Sequence, residues 1–270
     1  MSDTPALDAQ VLLAHVLEKP RAWVLAHPEA ELTPAQQEAL ESALRRLEAG
    51  EPLPYILGHW EFYGLDFTLT PAVLIPRPET ELLVDQALDW LRRRPPAPLW
   101  AADVGAGSGC IAISLAVHAP ELRVAATDLS LPALQTARCN ALRHGVASRL
   151  FLIQTDLLAP FPPYSLSPGP YLELICANLP YIPSATLASL PVAAREPRLA
   201  LDGGPDGLSL IRSLLEQAPS RLAPGGLLLL EIEAGQGPAA LELARQAFPK
   251  GDIRLLPDLA GRDRVVRVEN

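Results

Sequence analysis

Apolar residues in the second half of the chain occur in short continuous runs, and the segments between them carry apolar residues at helical spacing. This alternation predicts an α/β domain in which a parallel sheet has helices on both faces. The predicted strands are 99–105, 123–128, 150–156, 172–178 and 226–232, followed by a closing hairpin over 252–257 and 263–268. The predicted helices are 108–118, 131–144, 206–222 and 237–248, and a proline-rich exposed loop is predicted at 161–170.

The start of the chain follows a helical pattern. Apolar residues at helical spacing over 7–17, and a second short apolar segment at 23–25, predict two helices of a small bundle. A third helix has a capping box, a proline at its first position and a glycine stop, formed by Thr33, Pro34, Gln36 and Gly50. We therefore predict an N-terminal helical bundle domain over residues 1–50.

Residues 51–98 are predicted to connect this bundle to the sheet. In order they comprise a rigid loop at 52–58, a hairpin of strands 60–63 and 66–69 turning at Gly64 and Leu65, and a helix at 82–91 whose first turn contains Pro78. A well-capped linker helix without a functional role explains the segment 76–81 equally well at this point.

Composition narrows the class of protein. Hydrophobic residues make up 49% and charged residues 20% of the chain, which is typical of globular proteins. No apolar run approaches the roughly 20 residues that span a bilayer, and the first residues lack the features of a signal peptide, so we expect a cytoplasmic protein. The net charge, 22 − 31 = −9, argues against sequence-independent binding of nucleic acid. No heptad pattern suggests assembly, and we expect a monomer.

The cysteines and histidines give little sign of metal or redox chemistry. Cys110, Cys139 and Cys176 are dispersed in apolar surroundings, so we interpret them as small buried hydrophobic residues and expect no metal. The histidines of the N-terminal region are widely spaced, and we assign surface or capping roles to His15, His27 and His59.

A glycine-rich segment, Gly105 to Gly109, joins the first strand of the sheet to its helix. Glycine lets a ligand approach the backbone, and a helix N-terminus offers unpaired N–H donors. Asp128 ends the second strand, where a carboxylate can accept both hydroxyls of a ribose, and Asp156 ends the third, within reach of an adenine amino group. A dinucleotide fold fits nearly as well, except that Cys110 stands where its pattern requires Gly or Ala. An α/β domain with incidental glycines is the remaining alternative.

A second candidate site follows the predicted strand 172–178. The apolar run stops at Asn178, Leu179, Pro180 and Tyr181, and ligands of α/β sheets bind outside such strand ends. The Asn178 Oδ1 and the Leu179 carbonyl can accept the two N–H bonds of a planar nitrogen, while Tyr181 packs against its plane. An ordinary strand-to-loop turn would use the same residue types.

An adenosine-bearing ligand beside a site for an amide or amino nitrogen points to methyl transfer from S-adenosylmethionine. This in-line displacement at a sulfonium methyl needs positioning and relief of charge on nitrogen rather than a strong base. The absence of a histidine or lysine near Asn178 is therefore no objection.

The sequence resembles the release-factor glutamine methyltransferases, the HemK family, over nearly its whole length. The matching segments are 54–58, 61–65, 75–81, 103–109, 178–182, 196–198, 201, 203–204, 206–208, 224–226, 231–232 and 236. The resemblance implies a class I S-adenosylmethionine-dependent methyltransferase domain over 99–270, with a Rossmann-like, seven-stranded, mostly parallel sheet and a closing antiparallel hairpin. It also implies that the small N-terminal helical domain helps to dock the substrate protein.

The resemblance implies methylation of the glutamine N5 in the Gly-Gly-Gln motif of class I peptide chain release factors, with S-adenosylhomocysteine as the product. The implied cofactor-binding residues are Gly105, Ala106, Gly107, Ser108, Gly109, Asp128, Leu129, Asp156, Leu157, Asn178 and Thr80. The implied substrate-binding and catalytic residues are Asn178, Leu179, Pro180 and Tyr181, with Arg77 facing the same pocket.

Two residues depart from the family pattern. Leu179 stands where the family usually has proline; it keeps the backbone carbonyl but loses the fixed φ of proline, which predicts a less preorganised site and a lower rate. Glu233 stands where glycine is common, and the sequence offers no functional account of it. Two alternatives stay open: an adenine-N6 nucleic-acid methyltransferase, and a non-catalytic cofactor-binding partner of the translation machinery.

Overall fold

The computed structural model describes residues 4–95, 97–163 and 171–270. The described chain forms two compact units, Met1–Trp60 and Glu61–Asn270. The three-part division into 1–50, 51–98 and 99–270 stays a prediction. Most of the predicted proline-rich loop at 161–170 lies outside the described residues.

The first unit consists of short helices: α1 (Pro5–Leu17), α2 (Arg21–Ala26), α3 (Pro34–Glu48) and α4 (Leu53–Leu57). Its core is an apolar cluster around Leu12, Ala43, Ile56 and Leu57. The capping box of α3 is confirmed, since the Thr33 hydroxyl accepts from the Gln36 backbone N–H at 3.3 Å. Helix α4 replaces the rigid loop predicted there, because prolines are tolerated at the cap and in the first turn of a helix.

A hairpin of β1 (His59–Phe62) and β2 (Leu65–Thr68) precedes α5 (Glu81–Arg92). Its turn residues are Tyr63 and Gly64, both with positive φ, so the turn lies one residue earlier than predicted. The Tyr63 hydroxyl donates to Asp85 Oδ1 at 2.7 Å, and its backbone N–H donates to Glu81 Oε1 at 2.8 Å. These bonds attach the hairpin turn to α5.

Within the described residues the second unit contains a seven-stranded sheet of order β5-β4-β3-β6-β7-β9-β8. The strands are β3 (Leu99–Val104), β4 (Leu122–Asp128), β5 (Leu150–Gln154), β6 (Leu172–Ala177), β7 (Leu222–Glu231), β8 (Asp252–Pro257) and β9 (Asp263–Glu269). Strands β3 to β7 pair in parallel, whereas β9 is antiparallel to β7 and β8. The predicted sheet and its closing hairpin are confirmed. The strand order reverses direction between β3 and β6, which is where ligands bind in such sheets.

The helices around this sheet are α6 (Cys110–His118), α7 (Leu131–Arg143), α8 (Ser184–Leu187), α9 (Ser209–Gln217) and α10 (Gly237–Ala247). Helix α9 is shorter than the predicted 206–222. It is followed by a 3-10 turn that contains Pro219, which has no N–H group to continue the helical hydrogen bonds. Strand β7 starts earlier than the predicted 226, because its Pro-Gly-Gly segment is accommodated by a shift in register against β6.

Leu227 to Leu230 are fully buried, as expected for a central strand covered on both faces. Cys110 and Cys176 are buried as predicted, but the prediction for Cys139 is wrong: it is exposed on α7. Among the described residues, no group of His, Cys, Asp and Glu could hold a metal ion. No helix in the described ranges has both the length and the apolar character needed to cross a membrane.

Candidate active site

A cleft with an empty volume of about 1040 Å³ opens at the carboxyl ends of β3 to β6. The predicted cofactor residues that line it are Gly105, Ala106, Gly107, Ser108, Asp128, Leu129, Asp156, Leu157, Asn178 and Thr80. Gly109 instead lies beneath the loop, where an added Cβ would come within 3.1 Å of the Ala137 side chain of α7. The lack of a side chain at Gly109 therefore lets α7 pack closely against this part of the chain.

The glycine loop contributes space more than hydrogen-bond donors. The N–H groups of Gly105 and Ala106 both donate to the Thr127 carbonyl at 2.9 Å, so these expected free donors are already paired. Gly105 has a φ of 75°, and a Cβ added there would lie 3.1 Å from the Leu179 side chain. The loop therefore presents bare backbone to the cleft directly beside the 178–182 segment.

Asp128 is fixed in direction by two backbone donors. Its Oδ2 accepts from Gly107 N–H at 2.9 Å, and its Oδ1 accepts from Ser130 N–H at 2.8 Å. Each carboxylate oxygen has a further acceptor position, so the side chain is able to accept the two hydroxyls of a ribose. This arrangement supports the role inferred from its place at the end of β4.

We expect Asp128→Asn to raise the dissociation constant of S-adenosylhomocysteine by roughly 10- to 100-fold, because it loses charge-assisted hydrogen bonds and turns an NH₂ group towards a backbone donor. Isothermal titration calorimetry measures the change. Asp89→Asn is the matched control, because Asp89 is exposed on α5 and pairs with Arg92. Unchanged affinity in the Asp128 variant would remove this residue from the cofactor site.

The other edge of the cleft contains a backbone outlier. Leu157 is buried and has a φ of 47°, a conformation that is rare for leucine. Asp156 beside it is exposed at the rim. Strained residues of this kind concentrate at ligand sites. The left-handed conformation of Leu157 turns the chain away from β5 at the edge of the cleft.

A second cavity of about 510 Å³ adjoins the first. It is lined by Leu74, Arg77, Asn178, Leu179, Tyr181, Ile182, Val192, Ala200 and Leu201. Four of these residues also line the larger cleft: Leu74, Asn178, Leu179 and Ala200. Asn178 and Leu179 therefore stand at the junction of the two cavities, and Arg77 and Tyr181 lie on the side of the second.

The Asn178 amide is held in one orientation. Its Nδ2 donates to the Thr80 hydroxyl at 3.0 Å. In the described part of the chain no donor is bonded to its Oδ1, so the acceptor end of the amide is available to a ligand. A neutral acceptor at the junction of two cavities suits an incoming N–H group.

The backbone after Asn178 is held by hydrogen bonds from distant residues. The Tyr181 carbonyl accepts from Gln236 Nε2 at 2.8 Å, and the Ile182 carbonyl accepts from Gly203 N–H at 2.8 Å. A Cβ on Gly203 would lie 2.7 Å from the Pro180 carbonyl oxygen. The 203–207 segment thus packs against this backbone at a distance that only glycine allows.

Glu233 caps the 3-10 turn that carries Gln236. Its Oε2 accepts from Gly235 N–H at 2.7 Å, and its own backbone N–H donates to Gln236 Oε1 at 3.1 Å. These bonds fix Gln236 where its Nε2 reaches Tyr181. The structure therefore supplies an account of Glu233 that the sequence lacked.

Of the ionisable side chains that line the second cavity, Tyr181 is neutral and Arg77 is paired. Burial, with a further contribution from the Glu231 charge, raises the pKa of Tyr181 to about 12, so its phenol stays neutral and is not a base. Arg77 forms an ion pair with the buried Glu196, which also accepts from Ile75 N–H at 3.0 Å. Sequence reasoning assigned no role to Glu196 or to Gln236, although both lie within the segments that carry the resemblance.

Two family models match the chain: the PrmC N-terminal domain over residues 1–58, and the methyltransferase small domain over residues 82–166. A release factor glutamine methyltransferase from Moorella thermoacetica is 48% identical over 97% of this chain and 90% of its own length. One from Bordetella pertussis is 42% identical, with 97% and 93% covered.

Among solved structures, the N-terminal domain of human METTL16 in complex with SAH has a TM-score of 0.53 and 15% identity, covering 77% of this chain and 76% of that one. At that identity the likeness shows the fold alone. The full-length sequence identities show more, and the chain belongs to the release factor glutamine methyltransferases.

Proposed function

We propose that the chain transfers a methyl group from S-adenosylmethionine to the side-chain amide nitrogen, N5, of the glutamine in the Gly-Gly-Gln motif of class I peptide chain release factors. The observation that carries the proposal is the Asn178 amide, anchored through Nδ2 and available through Oδ1 at the junction of the two cavities. Family membership supplies the class of substrate.

The residues of the larger cleft fit S-adenosylmethionine. Gly105 leaves a space that a side chain would fill, and the fixed Asp128 carboxylate offers two acceptors to a ribose. Asp156 and Leu157 border the position assigned to adenine. When bound, S-adenosylmethionine supplies the methyl group on a positively charged sulfonium.

The second cavity would receive the glutamine side chain. Asn178 Oδ1 and the Leu179 carbonyl accept the two N–H bonds of its amide and direct the nitrogen lone pair towards the larger cleft. As nitrogen gains positive charge these hydrogen bonds strengthen, which lowers the barrier selectively in the transition state. The methyl–sulfur bond breaks as the nitrogen–carbon bond forms, and one N–H proton is then lost to water, which leaves a neutral methylated amide and S-adenosylhomocysteine. Tyr181 packs against the amide plane. Leu179, although not proline, supplies its backbone carbonyl two residues before the anchored Tyr181.

The same proposal assigns docking of the release factor to the N-terminal helical unit. It places the reaction in the cytoplasm and treats the chain as a monomer. The fall in rate predicted from Leu179 is tested by Leu179→Pro, which restores the family residue without altering the acceptor carbonyl.

The direct test mixes the purified chain with a class I release factor and S-adenosylmethionine. We expect mass spectrometry to find one added methyl group, on the glutamine of the Gly-Gly-Gln motif. A release factor with that glutamine changed to alanine is the control and should gain none. Tight cofactor binding without turnover would instead support the non-catalytic alternative, and methylation of adenine in nucleic acid would support the other.

A further inference from the structure

A buried amide lies behind the glycine-rich loop. Asn140 stands on α7 and has no exposed surface. Its Nδ2 donates to the Ser108 carbonyl at 2.9 Å and to the Thr68 carbonyl at 3.0 Å, and its Oδ1 accepts from the Thr68 backbone N–H at 2.8 Å. The reversed amide would set its NH₂ group against an N–H donor and its oxygen against two carbonyls, so the hydrogen bonds select one orientation.

The two segments that Asn140 joins both lead to the larger cleft. Ser108 lines the cleft as part of the glycine-rich loop. Thr68 ends β2, and the chain that follows it lines the cleft at residues 72–74. These segments are remote from each other in sequence, and one buried amide with all its hydrogen-bonding groups paired ties both to α7. The spacing between two parts of the cleft wall therefore depends on Asn140.

Neighbouring side chains of α7 also hold the β2 segment. Thr136 Oγ1 forms a hydrogen bond with Thr70 Oγ1 at 3.1 Å, and Arg143 forms an ion pair with Asp66. The three helix positions are three or four residues apart and share one face of α7. Within the described ranges, neither Thr136 nor Arg143 forms a hydrogen bond with the glycine-rich loop, whereas Asn140 bonds the loop and the β2 segment together.

We propose that Asn140 is a positioning residue for S-adenosylmethionine, acting from behind the cleft through the Ser108 carbonyl and the Thr68 backbone. A ligand that contacts two wall segments binds best when their spacing is fixed beforehand, because no binding energy is then used to order them. This inference rests on the proposed assignment of the larger cleft to S-adenosylmethionine. It adds to the site a residue that acts on the cofactor only through other residues.

The test begins with two variants of Asn140. Asn140→Leu removes all three hydrogen bonds, and Asn140→Asp keeps an acceptor for the Thr68 N–H but loses both donors. We expect either change to raise the dissociation constant of S-adenosylhomocysteine about 10- to 50-fold, and KM for S-adenosylmethionine in parallel, through lost preorganisation. KM for the release factor at saturating cofactor should stay within about threefold of wild type, because most residues of the second cavity lie outside both segments. Isothermal titration calorimetry and steady-state kinetics measure these values.

Thr136→Val is the matched control, because it removes a polar contact between α7 and the β2 segment but none to the glycine-rich loop. Its dissociation constant for S-adenosylhomocysteine should stay within about twofold of wild type, whatever the change costs in stability to urea. A wild-type dissociation constant in the folded Asn140 variants, or an equal rise in Thr136→Val, would overturn the proposal.

Hydrogen exchange tests the same link in the unaltered chain. By linkage, a ligand that needs the Asn140 hydrogen bonds slows their opening. S-adenosylhomocysteine should therefore slow exchange of the Thr68 N–H at least about fivefold, but not that of the Ala260 N–H, which bonds Asp258 in the turn between β8 and β9. Equal rates at Thr68 with and without the ligand would contradict the proposal. A chain that binds S-adenosylhomocysteine but does not methylate the release factor would lose the proposed function and keep this inference.

Discussion

Asn178→Ala is expected to lower kcat for release factor methylation by about 10² to 10³-fold, the loss typical of removing one positioned hydrogen-bond group from a transition state. The side chain offers its Oδ1 at the junction of the two cavities and is anchored by Thr80, so no neighbouring group replaces it. Single-turnover transfer of labelled methyl groups at saturating cofactor measures the effect.

Binding of S-adenosylhomocysteine to the Asn178 variant should change much less than kcat, because the main anchors of that ligand are assigned to the glycine loop and Asp128. Gln246→Ala is a suitable control, since this exposed amide donates to Glu242 on the same helix. A variant that turns over like wild type would show that Asn178 is a turn residue, as its sequence context alone also allows.

Much of the fold followed from local sequence. Buried parallel strands are continuous apolar runs, and Leu227 to Leu230 could hardly be placed elsewhere. Errors arose where a tertiary or local backbone feature overrode the pattern. Pro219 ended α9 early, the Pro-Gly-Gly segment of β7 was absorbed by a register shift, and Cys139 faced solvent on an amphipathic helix.

The candidate site was also predicted only in part from the sequence. Asn178 and Asp128 were recognisable because each polar residue ends an apolar strand, and the sheet brings such ends together. The hydrogen-bond partners of the 178–182 segment could not be predicted from local pattern, because they are remote in sequence: Thr80, which only the family resemblance placed at the site, bonds Asn178 across 98 positions, and Gln236 bonds Tyr181 across 55. No periodicity encodes such a pairing.

The anchoring of the 178–182 segment bears on the leucine that stands where the family usually has proline. Proline would restrict the backbone by its ring, whereas here hydrogen bonds to the Tyr181 and Ile182 carbonyls restrict the segment that follows Leu179. The Leu179 side chain is buried against the glycine loop, which adds a packing contact that joins the two halves of the site. If the Leu179 carbonyl has the proposed acceptor role, we expect its position to depend on the 203–207 segment and on Gln236.

Gly207→Ala is expected to break that anchoring. Gly207 has a φ of 76°, and a Cβ there would lie 2.2 Å from the Tyr181 carbonyl oxygen and 2.5 Å from Gln236 Nε2. The collision has to displace Tyr181 or Gln236, and a shift of about 1 Å at a reacting group costs roughly 10²-fold in kcat. Stability should fall by about 1–3 kcal/mol, from backbone strain and the lost hydrogen bond.

Gly261→Ala is the control, because it introduces the same backbone strain without a collision. Gly261 has a φ of 75° in the turn between β8 and β9, and an added Cβ would have no atom within 4 Å. It should lose about 1 kcal/mol of stability from the left-handed backbone alone and retain wild-type kcat. Urea unfolding and steady-state kinetics on both variants make the comparison. Equal kcat in the two variants would show that the 203–207 segment only supports the fold, whereas a large loss confined to Gly207→Ala would show that it holds the substrate-binding backbone in its active position.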